Sequence, residues 1–343
     1  NIDADPAFVD TANGDYHLSD LSPCISAGTD TITIAGVLYS APTTDLDGNP
    51  RPNPAGTSPD MGAYESDKGV DPNYAGPVWY VDGPAGVPYG NGGPGAPFTT
   101  IQAGINASSS GDTVSVKAGN YVENIDFNGK NIAVLGEDRE TTIIDGDQSG
   151  SVVTIESVAT ASLENLTMQN GTGTDMINNG EMWGGGIFIK SSGVAITNCV
   201  IKDNTAISGG AGIYTDYSST LLMDGCVVKS NGIITQGSGA GINTHSSTVT
   251  IRNTLVADNQ AVQGGGVYFW TSTPTLDKVT IINNSSSDVG AGVFCYADSD
   301  PVITNSIIRN NNGPDQIYLG ATDNNDISIG YSNISYGIDS ITV

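Results

Sequence analysis

The feature that most restricts the fold is a repeat that returns five times between residues 184 and 311. Gly184-Gly185-Gly186-Ile187-Phe188 recurs as Gly210-Ala211-Gly212-Ile213-Tyr214, Gly239-Ala240-Gly241-Ile242-Asn243, Gly264-Gly265-Gly266-Val267-Tyr268 and Gly290-Ala291-Gly292-Val293-Phe294. The last glycines, 186, 212, 241, 266 and 292, are separated by 26, 29, 25 and 26 residues. Two apolar columns keep the same register: Ile196, Met223, Ile251, Leu276, Ile303, and then Ile201, Val228, Val256, Ile281, Ile308. Three residues after each member of the second column stands an asparagine: Asn204, Asn231, Asn259, Asn284 and Asn311.

The apolar segments are short, rich in Val, Ile and Thr, and broken by Gly and Asn at fixed offsets, which favours strands. Apolar spacing near 3.6 sustained over ten or more residues, the mark of a helical repeat, is absent. One coil of roughly 25–29 residues therefore stacks on the next, ~4.8 Å apart, with equivalent residues one above another. Each coil is expected to hold a short strand, a turn, a second strand and then Asn. Eight or nine coils would extend on the order of 40 Å. Ile196, Ile213, Ile251, Ile281 and Ile303 are expected inside. The Asn column is expected to form a stacked ladder at one turn, and removing Asn259 should cost about 1–3 kcal/mol.

Composition agrees with an all-β chain: 45 Gly and 16 Pro among 343 residues, with 14% charged. Eleven Lys and Arg against 37 Asp and Glu leave a net charge of −26, which repels phosphate backbones and anionic headgroups. Nucleic acid and membrane insertion are therefore not expected, and no apolar run approaches the ~18 residues that span a bilayer. The four cysteines, Cys24, Cys199, Cys226 and Cys295, match neither a disulfide framework nor a zinc spacing. The acidic surface, not the cysteines, points to an extracellular or cell-surface setting. Asn1-Ile2-Asp3-Ala4-Asp5 opens without Met, as though the chain were entered midway.

Phe98-Thr99-Thr100-Ile101-Gln102-Ala103-Gly104-Ile105-Asn106, followed by Gly111-Asp112-Thr113-Val114-Ser115-Val116 and Gly119-Asn120-Tyr121-Val122-Glu123-Asn124-Ile125, resembles the entry into a β-helix of the pectate-lyase-like superfamily. The resemblance covers about residues 98–343. It implies a right-handed parallel β-helix opened by a short amphipathic capping helix, with Ile101 and Ile105 over the first coil. Residues 1–66 resemble a different element, the choice-of-anchor module of bacterial surface proteins. The matching stretches are Asp3 to Asp10, Gly14-Asp15-Tyr16-His17-Leu18, Ser22 to Gly28, Asp45-Leu46-Asp47-Gly48-Asn49-Pro50-Arg51-Pro52 and Asp60-Met61-Gly62-Ala63-Tyr64-Glu65. Residues 67–97 read as a Pro/Gly-rich linker with one strand at Val78-Trp79-Tyr80-Val81.

In that anchor family the module closes the C-terminal end of a β-helix, whereas here it comes first. The chain ends Ile327-Ser328-Ile329-Gly330-Tyr331-Ser332-Asn333-Ile334 and beyond, a stretch that in the family leads into a module like residues 1–10. The order resembles a circular permutation, and it implies head-to-tail partners. Residues 1–66 of one copy would complete the open last coil of another, in a filament or tandem array. The other reading is that residues 1–66 close an unrelated upstream β-helix.

Resemblance to lyases directs attention to chemistry. Glycoside hydrolysis needs two facing carboxylates; the regular coils hold no such nearby Asp pair, and no acidic cluster beside an Arg. If Ile187, Ile213, Ile242, Val267 and Val293 point inward, residues one and three further on point outward. The first outward column is Phe188, Tyr214, Asn243, Tyr268 and Phe294; the second is Lys190, Asp216, His245, Trp270 and Tyr296. One reading is a sugar-binding groove in which aromatic faces stack on pyranose rings, with His245 as a candidate base oriented by Asp216 and Lys190 nearby. The other is that the aromatics only stack between coils or bury themselves against a neighbour.

Asp45, Asp47 and Asp60 are candidate Ca²⁺ ligands, since Asp-x-Asp-Gly opens calcium loops, although a plain acidic turn fits as well. No other cofactor is indicated. Cys199 and Cys226 occupy equivalent places on adjacent coils, a little too far apart for a relaxed disulfide, and are read as stacked core thiols. Two functions follow: an extracellular structural or adhesive protein without catalysis, or a carbohydrate-binding or polysaccharide-cleaving module using the aromatic columns.

Overall fold

The computed structural model describes residues 5–19, 22–53, 55–68, 74–83, 90–176, 180–320 and 326–335, with the backbone of 341–342. The chain divides into two compact units, one of Asn1–Ser108 with Asp112–Lys117 and one of Ser109–Gly111 with Ala118–Val343.

In the larger unit the local cause of the coil is a left-handed residue at each corner. Asn198, Gly225, Asn253, Lys278, Asn305 and Tyr331 all have φ between 47° and 66°. Each breaks what the sequence pattern presents as one second strand into two. The coil of residues 187–206 accordingly runs Ile187–Lys190, Gly193–Thr197, Val200–Lys202 and a short Thr205–Ala206. A second set of left-handed residues, Asp203, Ser230, Asp258, Asn283 and Asn310, immediately precedes the Asn column. Asn, Asp and Gly enter this region at little cost, and they hold eight of these eleven corner positions, the others being Lys278, Tyr331 and Ser230.

Three long parallel sheets result, each built from one strand per coil. One runs from Gly119–Val122 to Asn333–Ile334, one from Ile125–Asp126 to Ile341–Thr342, and one includes Ala133–Gly136 through Ser328–Gly330. The registers are continuous: Ile196 pairs with Met223, Met223 with Ile251, Ile251 with Leu276 and Leu276 with Ile303. Ile201, Val228, Val256, Ile281 and Ile308 form the second column. Every member of both columns has no exposed surface, and Ile213 is equally buried. The expected interior is correct, and the unit is an all-β parallel solenoid of about eight turns.

The Asn column runs up one corner of the lumen. Asn204 Nδ2 donates to Asn231 Oδ1, Asn231 to Asn259, Asn259 to Asn284 and Asn284 to Asn311, at 2.9–3.0 Å. The Oδ1 atoms of Asn231, Asn259, Asn284 and Asn311 each also accept the main-chain N–H of the Asn one coil earlier, and Asn204 Oδ1 accepts that of Gly171. Each Nδ2 also donates to a carbonyl of the preceding coil, such as Val228 O for Asn259. Gln316 ends the series, its Oε1 taking both donors of Asn311. Buried serine hydroxyls link other corners: Ser192 N–H donates to Ser219 Oγ, Ser247 N–H to Ser272 Oγ and Ser272 N–H to Ser299 Oγ. Cys199 and Cys226 are free buried thiols that donate to carbonyls of their own and the preceding coil. Burial raises both thiols, Cys226 to about 11.

In the smaller unit, the strand expected at Val78–Val81 forms and pairs in parallel with Thr113–Val116. The expected helix spans Ile101–Ala107, capped by the Thr100 side chain, with Ile101 and Ile105 fully buried. The described residues of 5–68 carry little regular structure: a short ribbon of Phe8–Asp10 with Asp15–Leu18, and the hairpin Thr31–Ile34 with Val37–Ser40. Positions 1–4 of the anchor-like segment lie outside the described residues.

Candidate functional site

The register that aligns Ile187, Ile213, Ile242, Val267 and Val293 also aligns Phe188, Tyr214, Asn243, Tyr268 and Phe294. These five side chains leave the lumen, as strand alternation requires. They are nevertheless buried, Phe188 completely, so the column is not an open ribbon. The turn ahead of each strand folds over it. A Cβ on Gly239 would stand 2.8 Å from the Cβ atoms of Asn243 and Tyr268, and φ there is +64°. The rings pack on one another between coils: Phe188 on Tyr214 at 5.8 Å, Tyr268 against Phe294 at 4.9 Å, Phe294 against Tyr318 at 5.1 Å.

The second column divides. Lys190 swings to Tyr217, its Nζ 5.4 Å from the ring centroid, and Tyr296 packs edge-on to Trp270. Asp216 and His245 come together, with Oδ1 and Nδ1 3.0 Å apart. Asp216 is 5% exposed; its Oδ2 accepts from the Tyr214 hydroxyl and its Oδ1 from the Tyr217 main-chain N–H. Burial, with the Asp216 charge beside it, pushes the Tyr214 phenol up, so it stays a donor. The His245 ring lies tilted on Trp270, centroids 4.7 Å apart, and Trp270 is 41% exposed.

Trp183, which the repeat did not flag, completes the site. It lies in the long corner of residues 172–183, between Gly171 and Gly184, where Thr174–Asp175 pairs with Met182–Trp183 as a short ribbon. Its ring meets Tyr214 at 4.8 Å. The signal available in the sequence was the length of that corner, not its composition. Trp183, Tyr214, Tyr268 and Trp270, with Asp216, His245 and Asn243, line a cavity of about 290 Å³ rimmed by Ser208 and Ser238. A second hollow, about 390 Å³ along Ile233–Thr235, Ala261 and Ser285–Ser287, has no aromatic or titratable side chain to direct a ligand.

Of the predicted aromatic set, the cavity uses Tyr214, Tyr268 and Trp270; Phe188, Phe294 and Tyr296 are packing residues beside it. Its described lining holds one carboxylate, so the two-carboxylate geometry of glycoside hydrolysis is not assembled there. Aromatic faces around polar groups suit the binding of a pyranose ring.

Asp45, Asp47 and Asp60 are not brought together as a ligand set. Both oxygens of Asp45 accept N–H donors from Asp47, Asn49 and Glu65, which hold its carboxyl at about 2. Asp60 accepts from Ser26 and Ser66, and Glu65 meets Arg51 at 3.0 Å. Among the described residues no group of three or more His, Cys, Asp or Glu side chains is placed to hold a metal ion.

Asp47 instead meets His17, whose Nε2 lies 2.7 Å from it while Nδ1 lies 2.6 Å from Asp15 and the ring stacks on Tyr64. These two carboxylates, Asp47 first, raise the imidazole above its ordinary value. A raised folded-state pKa means the contact stabilises fully below the ordinary imidazole value, ~6.5, and weakens as pH rises through the higher folded value. The chain has two histidines, so proton NMR resolves them. The His17 midpoint should lie above 6.5 and fall back toward it in Asp47→Asn; an unmoved midpoint would show that the contact does not persist in solution.

No curated protein sequence matches the chain. Among solved structures the chain is similar to pectin methylesterase from carrot, with 18% identity and a TM-score of 0.49 over 79% of this chain and 86% of that one. Pectin methylesterase from Yersinia enterocolitica is similar at 12% identity and a TM-score of 0.37, over 69% and 90%. At such identities the likeness says nothing about the chemistry of the cavity. Among the described residues no helix is long and apolar enough to cross a membrane. A family model described as a right-handed β-helix region matches residues 185–339.

Proposed function

We propose that the chain is an extracellular, adhesive carbohydrate-binding β-helix whose sugar site is the cavity between Trp183 and Trp270. The observation that carries this reading is the pairing of aromatic rings with an anchored polar set, Tyr214–Asp216–His245, in one hollow. A pyranose presents an apolar face to such rings and hydroxyls to such polar groups, and the β-helix holds both on rigid strands. Calorimetry of the full chain against an oligosaccharide panel tests it. At least one member should bind, and Trp270→Ala should weaken that binding about tenfold or more, a loss of about 1.4 kcal/mol. Binding that is unchanged in Trp270→Ala, or no binding across the panel, overturns the reading.

Head-to-tail self-association is a second reading, favoured by one observation in the smaller unit. The hairpin Thr31–Ile34 with Val37–Ser40 exposes Ile32, Ile34, Val37, Leu38 and Tyr39, each at least half open. Exposed apolar surface of this kind marks interaction sites. Light scattering should then show copies associating at high concentration and dissociating in Leu38→Asp; a monomer at every concentration rules it out.

A further inference from the structure

We infer that the cavity selects a cationic sugar, a glucosamine unit with a free ammonium group, over acidic uronates; this rests on the carbohydrate reading above. Three features of the cavity point to a positive ligand. First, its floor is the Asp216 carboxylate, 95% removed from water, held by the Tyr214 hydroxyl and the Tyr217 N–H and facing the hollow. A carboxylate so placed attracts an ammonium group and repels a second carboxylate, and both effects are stronger out of water.

Second, Trp183, Tyr214, Tyr268 and Trp270 present four aromatic rings to the same space. Their faces carry negative quadrupole density that attracts cations, more so when desolvated. Third, no Lys or Arg is among the described residues lining the cavity. The nearest in register is Lys190, paired with Asp216 across the sheet, and its Nζ is turned to the Tyr217 ring. Among the described lining residues His245 is the one basic side chain, and its Nδ1 faces Asp216. A uronate would therefore meet a buried carboxylate with no Lys or Arg among the described lining residues to receive it. The whole chain, at −26, adds a long-range field of the same sign.

The test is calorimetry of the full chain with four probes: a glucosamine tetramer, its N-acetylated form, a tetragalacturonate and a trimethyl-lysine peptide. The glucosamine tetramer should bind about tenfold or more tightly than its acetylated form, and the tetragalacturonate more weakly still. Asp216→Asn keeps the side-chain shape and the acceptor for Tyr217; it should bring the amine and acetamide forms within about twofold of each other. Trp270→Ala should weaken both together. Equal binding of the two glucosamine forms by the parent chain, or tighter binding of the galacturonate, overturns the inference while leaving a sugar site in place. A trimethyl-lysine peptide bound more tightly than the tetramer also overturns it, in favour of an aromatic cage for protein. No binding of any oligosaccharide in the wider panel removes the carbohydrate reading itself.

Discussion

Replacing Asn259 with alanine is expected to lower the stability of the solenoid unit by about 3–5 kcal/mol, above the ~1–3 kcal/mol expected from the sequence alone, because its side chain holds four buried hydrogen bonds. The side chain has no solvent exposure and makes four hydrogen bonds. Its oxygen serves the main-chain N–H and the amide of Asn231; its nitrogen serves Val228 O and Asn284 Oδ1. Alanine leaves two donors and two acceptors short of a partner in a site closed to water, where each orphan costs about 1–3 kcal/mol before relaxation. The exposed Gln260 next to it is the control: Gln260→Ala should stay within about half a kcal/mol. Urea unfolding gives the magnitude, and amide exchange at Asn231 gives the location. A cost under about 1 kcal/mol would show that the ladder is hydrated in solution.

Gly241→Ala should be nearly as damaging, about 3 kcal/mol, for a reason unrelated to backbone flexibility. A Cβ there would lie 2.4 Å from Gly266 O, 3.0 Å from Asn259 Nδ2 and 3.1 Å from Val256 Cγ1. The added carbon pushes the next coil away at the place where the ladder needs it close. One residue earlier, Ala240 is buried and already carries a methyl group, and Ala240→Gly should cost about 1 kcal/mol through lost burial and added chain freedom. Because the methyl of Gly241→Ala strikes Asn259, the double variant with Asn259→Ala should lose less than the sum of the single losses. Strict additivity would mean that the two positions do not share a contact.

Whatever repeats was legible in the sequence. The apolar columns and the Asn column follow from spacing and residue type, because each coil imposes the same geometry on the same position; the helix at residue 101 came from the resemblance of residues 98–106 to a family's capping helix. The nearness of Asp216 and His245 was also legible, since it needs only the register. Three things were not settled there. Phe188, Tyr214 and Tyr268 stood between an open groove and burial, because burial depends on the glycine turns folding back over the strand and alternation along a strand says nothing of what lies above it. Trp183 occurs once, in a corner without counterparts, and only tertiary contact reveals its place. Gln316 joins the ladder from five residues beyond Asn311, outside the Asn register, because a longer amide can reach the same donors.

The twelve residues between Gly171 and Gly184 stand where a later coil has four, between Asn259 and Gly264. Coil spacing is set by the walls and the amide ladder, neither of which passes through that corner. Its length is therefore a free variable, tolerated because longer loops cost little extra closure entropy. The cavity takes Trp183 from that corner and its other rings, with Asp216 and His245, from the coil strands. A transplanted corner should therefore remake one wall of the cavity and leave the trunk standing, much as interchangeable loops diversify an antibody frame.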